Sequence, residues 1–175
     1  MWVTGLPASG KSTLVQALSA QLNALGIEPA VLESDVLRPI FTPHAQYQEE
    51  DRDSFYRQMA YVGTLLTRHG VPVIFDATAN RRIYRDRTRE QIPSFLEVYV
   101  ECPLEICRAR DPKGIYRKGE IGSAASVPGL QAPYEPPENP DVVVRGDMER
   151  SRDAASRIVA ELRAKGFLPE QTAIT

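Results

Sequence analysis

The chain has little net charge for its size. Its 21 lysines and arginines stand against 23 acids, giving a formal charge of -2 and a pI near 5.8. Such a balance supplies no general field to attract nucleic acid or an anionic membrane, so any affinity for phosphate has to be local. No apolar run approaches the length of a membrane span, and Met1-Trp2-Val3 shows neither a charged leader region nor a cleavage site, so the expected location is the cytoplasm. Cysteine is scarce. The only two, Cys102 and Cys107, lie in "ECPLEIC", which matches neither a redox C-x-x-C pair nor a zinc set and reads as two buried thiols of a reducing compartment. Internal repeats and homopolymeric tracts are missing as well. Present instead are 175 residues that are 42% hydrophobic, enough for a single core, so 1–175 is expected to form one domain.

The order of elements follows from periodicity. A short apolar start, Trp2-Val3-Thr4, enters a glycine-rich loop, after which Leu14, Leu18, Leu22 and Leu25 recur at helical spacing until Gly26. Residues 30–35 read as a strand, 51–69 as a helix closed by Gly70, and 71–77 as a buried strand. An arginine-rich helix over about 81–92, a strand over 95–102, a short helix over 104–110, a strand over 141–145 and a helix near 149–165 complete the alternation. Strands alternating with helices imply a parallel sheet covered on both faces. Only 111–140 breaks the rhythm. It holds six of the fourteen prolines and the basic residues Lys113, Arg117 and Lys118, without a clear period, and reads as a mobile lid; a surface insertion is the plainer alternative.

"GLPASGKST", residues 5–13, fits G-x-x-x-x-G-K-[ST]. Gly5 and Gly10 permit a tight turn that aims backbone N–H groups of Leu6, Pro7's neighbours Ala8 and Ser9, and the following residues at phosphate oxygens. Lys11 adds a cation at the β- and γ-phosphates, and the Ser12 hydroxyl, beside Thr13, is the expected Mg²⁺ ligand. The fold expected from this context is α/β, that of the P-loop nucleoside-triphosphate hydrolases. A GTPase reading is weak, because no N-K-x-D segment exists and "DPKG" follows a helix. At the end of the second strand, "LESDVLR" places Glu33 and Asp35 two apart, so that both carboxylates would project from the sheet's carboxyl edge. Asp35 is then a candidate to accept a proton from a substrate hydroxyl or to orient Mg²⁺, and Arg38 to hold an anionic acceptor; a helix cap and a solvated arginine are the plainer readings. Asp76, closing the third strand, has the Walker-B position and is a second candidate metal ligand. The arginines at 81, 82, 85, 87 and 89 read first as a salt-bridged helix face. His44 and His69 are isolated and take no role, though His69 stands where a helix should end.

"GLPASGKST", "SDVLR", Asp51-Arg52, "FLEVYVECPLEICRARDPKGIYRK" and "PYEPPENPDVVV" together resemble the adenylylsulfate kinase family over most of the chain. The resemblance implies transfer of the γ-phosphate of ATP, with Mg²⁺, to the 3'-hydroxyl of adenosine 5'-phosphosulfate, and makes a homodimer plausible. It implies that residues 5–13 bind ATP phosphates, that Lys11, Asp35 and Arg110 act in catalysis, that Arg110 and Lys113 open the lid and meet the ATP phosphates, and that Arg38, Arg52 and Arg57 serve the acceptor. The departures cluster around the acceptor. Glu33 and Ser34 replace D-G, Phe55 stands where the family has Asn, and "ATANRR" replaces F-I-S-P-Y-R, so that the usual serine aligns with Ala79. The lid is shorter and lacks the F-T-G-I phenylalanine. Another small P-loop kinase acting on a nucleotide, sugar or polynucleotide hydroxyl is therefore the runner-up, followed by a non-catalytic nucleotide-binding module.

Overall fold

Three consecutive buried residues, Trp2, Val3 and Thr4, require a strand covered on both sides, and this strand is the centre of the molecule. The computed structural model describes residues 1–43, 48–124 and 126–168. Five parallel strands, β1 (Trp2–Thr4), β2 (Ala30–Glu33), β3 (Val73–Asp76), β4 (Glu97–Glu101) and β5 (Val142–Arg145), form one sheet in the order β2-β3-β1-β4-β5. Alternation along β1 divides the core. Val3 faces Leu14, Leu18, Ile158 and Leu162 of α1 (Lys11–Ala24) and α7 (Ser151–Ala164), while Trp2 faces Phe55, Tyr56 and Met59 of α3 (Glu49–Arg68). Trp2 stacks on its register neighbour Phe75, with ring centroids 4.6 Å apart. Each such fully buried apolar side chain contributes roughly 1.5–3 kcal/mol. Among the described residues no helix is long and apolar enough to cross a membrane.

The expected elements are present within a few residues, including α4 (Arg82–Gln91) and α5 (Leu104–Arg110), and His69 is the C-cap of α3. His44 lies outside the described residues. Two expectations need correction. The second strand ends at Glu33, and Ser34 opens a helix, α2 (Ser34–Phe41), with Asp35 in its first turn. Glu33 and Asp35 therefore do not share a strand face, and Asp35 is not the cap either: Glu33 occupies that position without a side-chain cap bond. A carboxylate in the first turn suits the positive end of the helix, which is why the chain turns there.

The segment 111–140, which shows no clear period in the sequence, also differs from that reading in its local structure. It contains a helix, α6 (Ile115–Glu120), and its Tyr116 and Val127 are buried with Cys102 and Cys107 against Leu6 and Ala8 of the glycine-rich loop. Asp111 starts α6 by accepting the backbone N–H groups of Ile115 and Arg117 at 2.7 and 3.0 Å. The Tyr116 hydroxyl donates to the Pro7 carbonyl at 3.0 Å, and burial raises its pKa. Both cysteines are buried free thiols, and burial pushes Cys107 up to about 12.

Candidate active site

The loop at residues 5–13 runs from the end of β1 to the first turn of α1. At Gly5 any side chain would collide with the neighbouring strand, since a Cβ would lie 2.5 Å from the Val100 carbonyl oxygen. Ala8 takes a left-handed conformation (φ 61°), and Ser9 N–H closes the turn on the Leu6 carbonyl at 3.2 Å. Ser9 is fully buried, whereas Ser12 and Thr13 open α1 exposed to the cleft. No acidic residue stands in the first turn of α1, so the positive helix end is left for an anion.

Lys11 is only 8% exposed, and its ammonium donates to the carbonyls of Gly5 and Leu6 at 3.1 and 2.8 Å. Burial lowers its pKa, while the carboxylates of Asp76 and then Asp35 draw it back up and Lys113 opposes them. Four charged groups from β3, α1, α2 and the lid thus act on one another in one cleft. Asp76 is buried, pairing in register with Val3 on one side and Glu33 on the other. Asp35 and Lys113 meet across the cleft, Nζ to Oδ2 at 2.5 Å, and this bond raises the Lys113 pKa.

Arg110 donates to the Gly146 carbonyl at 2.9 Å. Gly146 escaped the sequence reading, although a glycine directly after a buried strand is a signal for close backbone approach. A Cβ there would lie 2.2 Å from the Ser9 carbonyl oxygen, so the turn after β5 is pressed against the phosphate loop. Through it Arg110 is held beside that loop.

The acceptor candidates divide. The Arg38 guanidinium lies 4.0 Å over the ring of Phe55, which is fully buried, so Phe55 is a platform under the arginine as well as part of the core. Arg52 is buried and donates to Asn80 Oδ1 at 3.5 Å, to the Ser126 carbonyl, and to Ser126 Oγ at 3.2 Å. Arg57 lies elsewhere. Five residues along a helix place it about 140° around α3 from Arg52, where it pairs with Asp53 at 2.7 Å. There it lines a groove of about 500 Å³ with Asp53 and Arg81, among others. Asp53 also pairs with Arg87, and Arg81 with Glu49. The groove's two arginines are thus engaged by its own carboxylates, and the phosphate loop lies outside it.

Comparison with known proteins agrees with the geometry. The family model described as adenylylsulphate kinase matches residues 1–145. The chain is 38% identical over 174 residues to an adenylyl-sulfate kinase of Microcystis aeruginosa, covering 99% of this chain and 96% of that protein. It is 39% identical over 168 residues to an adenylyl-sulfate kinase of a Synechococcus strain, covering 96% of each. A solved structure of the Mycobacterium tuberculosis APS kinase in complex with AMPPNP and APS superposes with a TM-score of 0.86 at 31% identity, over 93% of this chain and 95% of that one.

Proposed function

The chain belongs to the adenylylsulfate kinase family, and from that premise we propose how its own residues carry the γ-phosphate of ATP to the 3'-hydroxyl of adenosine 5'-phosphosulfate (APS), giving PAPS and ADP. The observation that supports the reading most is the convergence of Lys11, Asp76, Asp35 and Lys113 on one cleft at the mouth of the phosphate loop. Backbone N–H groups of residues 5–13 and the α1 N-terminus hold the phosphates, and Lys11 meets the charge that grows on the transferring group. Arg110 and Lys113 approach from the lid side. Asp35 aligns the acceptor hydroxyl and takes its proton as the new bond forms, and Arg38, on its aromatic platform, steadies the anionic acceptor.

The exposed hydroxyl of Ser12 and the carboxylate of Asp76 are hard oxygen donors that fit Mg²⁺. Among the described residues no group of three or more His, Cys, Asp or Glu could cage a metal, which agrees with an ion held mainly by phosphates and water. When bound, Mg²⁺ neutralises charge between the β- and γ-phosphates. Neither nucleic acid nor a membrane enters the reaction; homodimeric assembly belongs to the same proposal.

ADP release followed with APS beside nucleosides, sugars and 5'-hydroxyl oligonucleotides tests the acceptor. Turnover is expected with APS alone. Turnover with another hydroxyl compound and none with APS would move the chain to the runner-up class. Asp35→Asn tests the base, because it keeps the shape and loses the charge. Transfer should slow by roughly a hundredfold while the KM for ATP changes little. Arg38→Ala should chiefly raise the KM for APS. Full rate in Asp35→Asn at saturating APS would transfer the role of base to Asp76 or Glu33.

A further inference from the structure

The segment after β3 departs from the family pattern, and the structure gives it a physical task. Ala79 has a positive φ of 40°, its N–H donates to the Tyr56 hydroxyl at 2.9 Å, and its carbonyl accepts from Arg85. The bend delivers Asn80 into the interior, where it is 3% exposed. One side of its carboxamide accepts from Arg52 at 3.5 Å, and the other donates to the Pro133 carbonyl at 3.0 Å. Its backbone carbonyl accepts the N–H of Glu135 at 2.7 Å. The orientation of the amide is fixed by its partners, because a guanidinium only donates and a carbonyl only accepts.

Pro133 and Glu135 are where the lid returns to the sheet. Glu135 is fastened again by Arg82 N–H to its Oε2 and by Arg85 to its carbonyl, both at 2.8 Å. Tyr134, between them, is 3.1 Å from Thr4 Oγ1, whose own proton goes to the Thr78 carbonyl at 2.6 Å. Tyr134 is therefore the donor. Arg52 reaches the other part of the lid through Ser126. Asn80 is thus the side chain that touches both Arg52 and the returning end of the lid.

We propose that Asn80 is a positioning residue for the acceptor: its carboxamide ties Arg52 to the C-terminal root of the lid, so that this buried side chain couples lid order to acceptor binding alongside the direct bond of Arg52 to Ser126. The inference rests on the assignment of Arg52 to the acceptor. Asparagine suits the place because it is uncharged and presents one donor and one acceptor in opposite directions. Aspartate keeps the acceptor for Arg52 but has nothing to give Pro133, and alanine lacks both.

Asn80→Asp and Asn80→Ala, compared with the parent, test the proposal through two readouts. Backbone hydrogen exchange over residues 126–135 without ligand is expected to quicken by roughly tenfold or more in both variants, since a buried group is left unpaired. The KM for APS is expected to rise by roughly tenfold in Asn80→Ala and less in Asn80→Asp, with the KM for ATP within about twofold of the parent. Parental exchange in 126–135 together with an unchanged KM for APS overturns the proposal, and so does an equal rise of both KM values. Ser126→Ala provides a second route if an Asn80 variant fails to fold. It removes one hydroxyl contact to Arg52 while the Ser126 carbonyl and Asn80 stay in place, so the KM for APS should rise in the same direction by a smaller factor, and no rise sinks the idea that lid contacts hold Arg52 for the acceptor. If the parent itself does not phosphorylate APS, the proposed function fails, while the exchange result still decides whether Asn80 holds the lid root.

Discussion

Lys11→Ala is expected to lower phosphoryl transfer by roughly a thousandfold, while the protein melts at or above the parental temperature. The first half follows from position. The ammonium sits at the loop that cradles the phosphates, and loss of one charge-stabilising donor in a partly desolvated site costs roughly 10²–10³ in rate. The second half follows from the sign of its pKa shift. Burial is the larger influence and lowers the pKa, outweighing the attraction of Asp76 and Asp35. A base whose folded pKa is depressed binds its proton less well in the native state than in the unfolded chain, so its charge works against folding at neutral pH. Removing it also deprives the Gly5 and Leu6 carbonyls of this donor, which offsets part of that gain and keeps the expected rise in melting temperature small. Steady-state kinetics and thermal melting on the same sample check both halves. A variant that turns over at the parental rate would remove the phosphate-loop assignment, and one that unfolds would show that the lysine holds the loop together.

Arg85→Met should destabilise the domain by roughly 3–5 kcal/mol, the range for removing one partner of a buried ion pair. Arg85 and Glu97 are almost wholly buried, with side chains 1% and 6% exposed, and meet at 2.7 Å. The same guanidinium donates to the carbonyls of Ala79 and Glu135. One substitution thus removes the buried partner of the Glu97 carboxylate between α4 and β4 and frees two carbonyls beneath the lid root. Arg89 still donates to Glu97 at 2.9 Å, which places the expectation at the lower end. For a domain of this size the melting temperature should fall by roughly 6–12 °C. The double variant Arg85→Met with Glu97→Leu should recover part of the loss, because no charge is then left unpaired. Urea unfolding that moves by less than about 1 kcal/mol in the single variant would show that the pair is not what fixes this corner.

Residues 5–13 were legible in the sequence because each glycine and the lysine answer a local demand that the pattern itself displays. Strands β1, β3 and β4 were legible for a similar reason: apolar runs buried on both faces have few alternatives. Helix α2 was not, since Ser34 and Asp35 continue an apolar strand and Pro39 lies inside the helix, where proline ordinarily argues against one. The role of Arg85 was hidden among five arginines of one short stretch. Only its burial in the fold, with a side chain 1% exposed against Glu97 of β4, distinguishes it from its more exposed neighbours. Asn80 was missed on the same ground, because an asparagine in a polar run says nothing until the loop it touches is in place. The helix in the proline-rich segment was not legible for the same reason, since Tyr116 anchors it only through the Pro7 carbonyl, 109 residues away in the chain.

A lid whose two ends are fixed, by Arg110 and Tyr116 at the start and by residues 133–135 at the return, is a closed loop hung from a rigid frame. The entropy of closing such a loop grows only logarithmically with its length, so that doubling it costs about 0.6 kcal/mol. Near the middle of the segment, just after α6, Ile121 is 73% exposed. Residues gained or lost next to Ile121 need not strain either anchor. Chain length around Ile121 is consequently a variable to which the stability of the domain should respond only weakly.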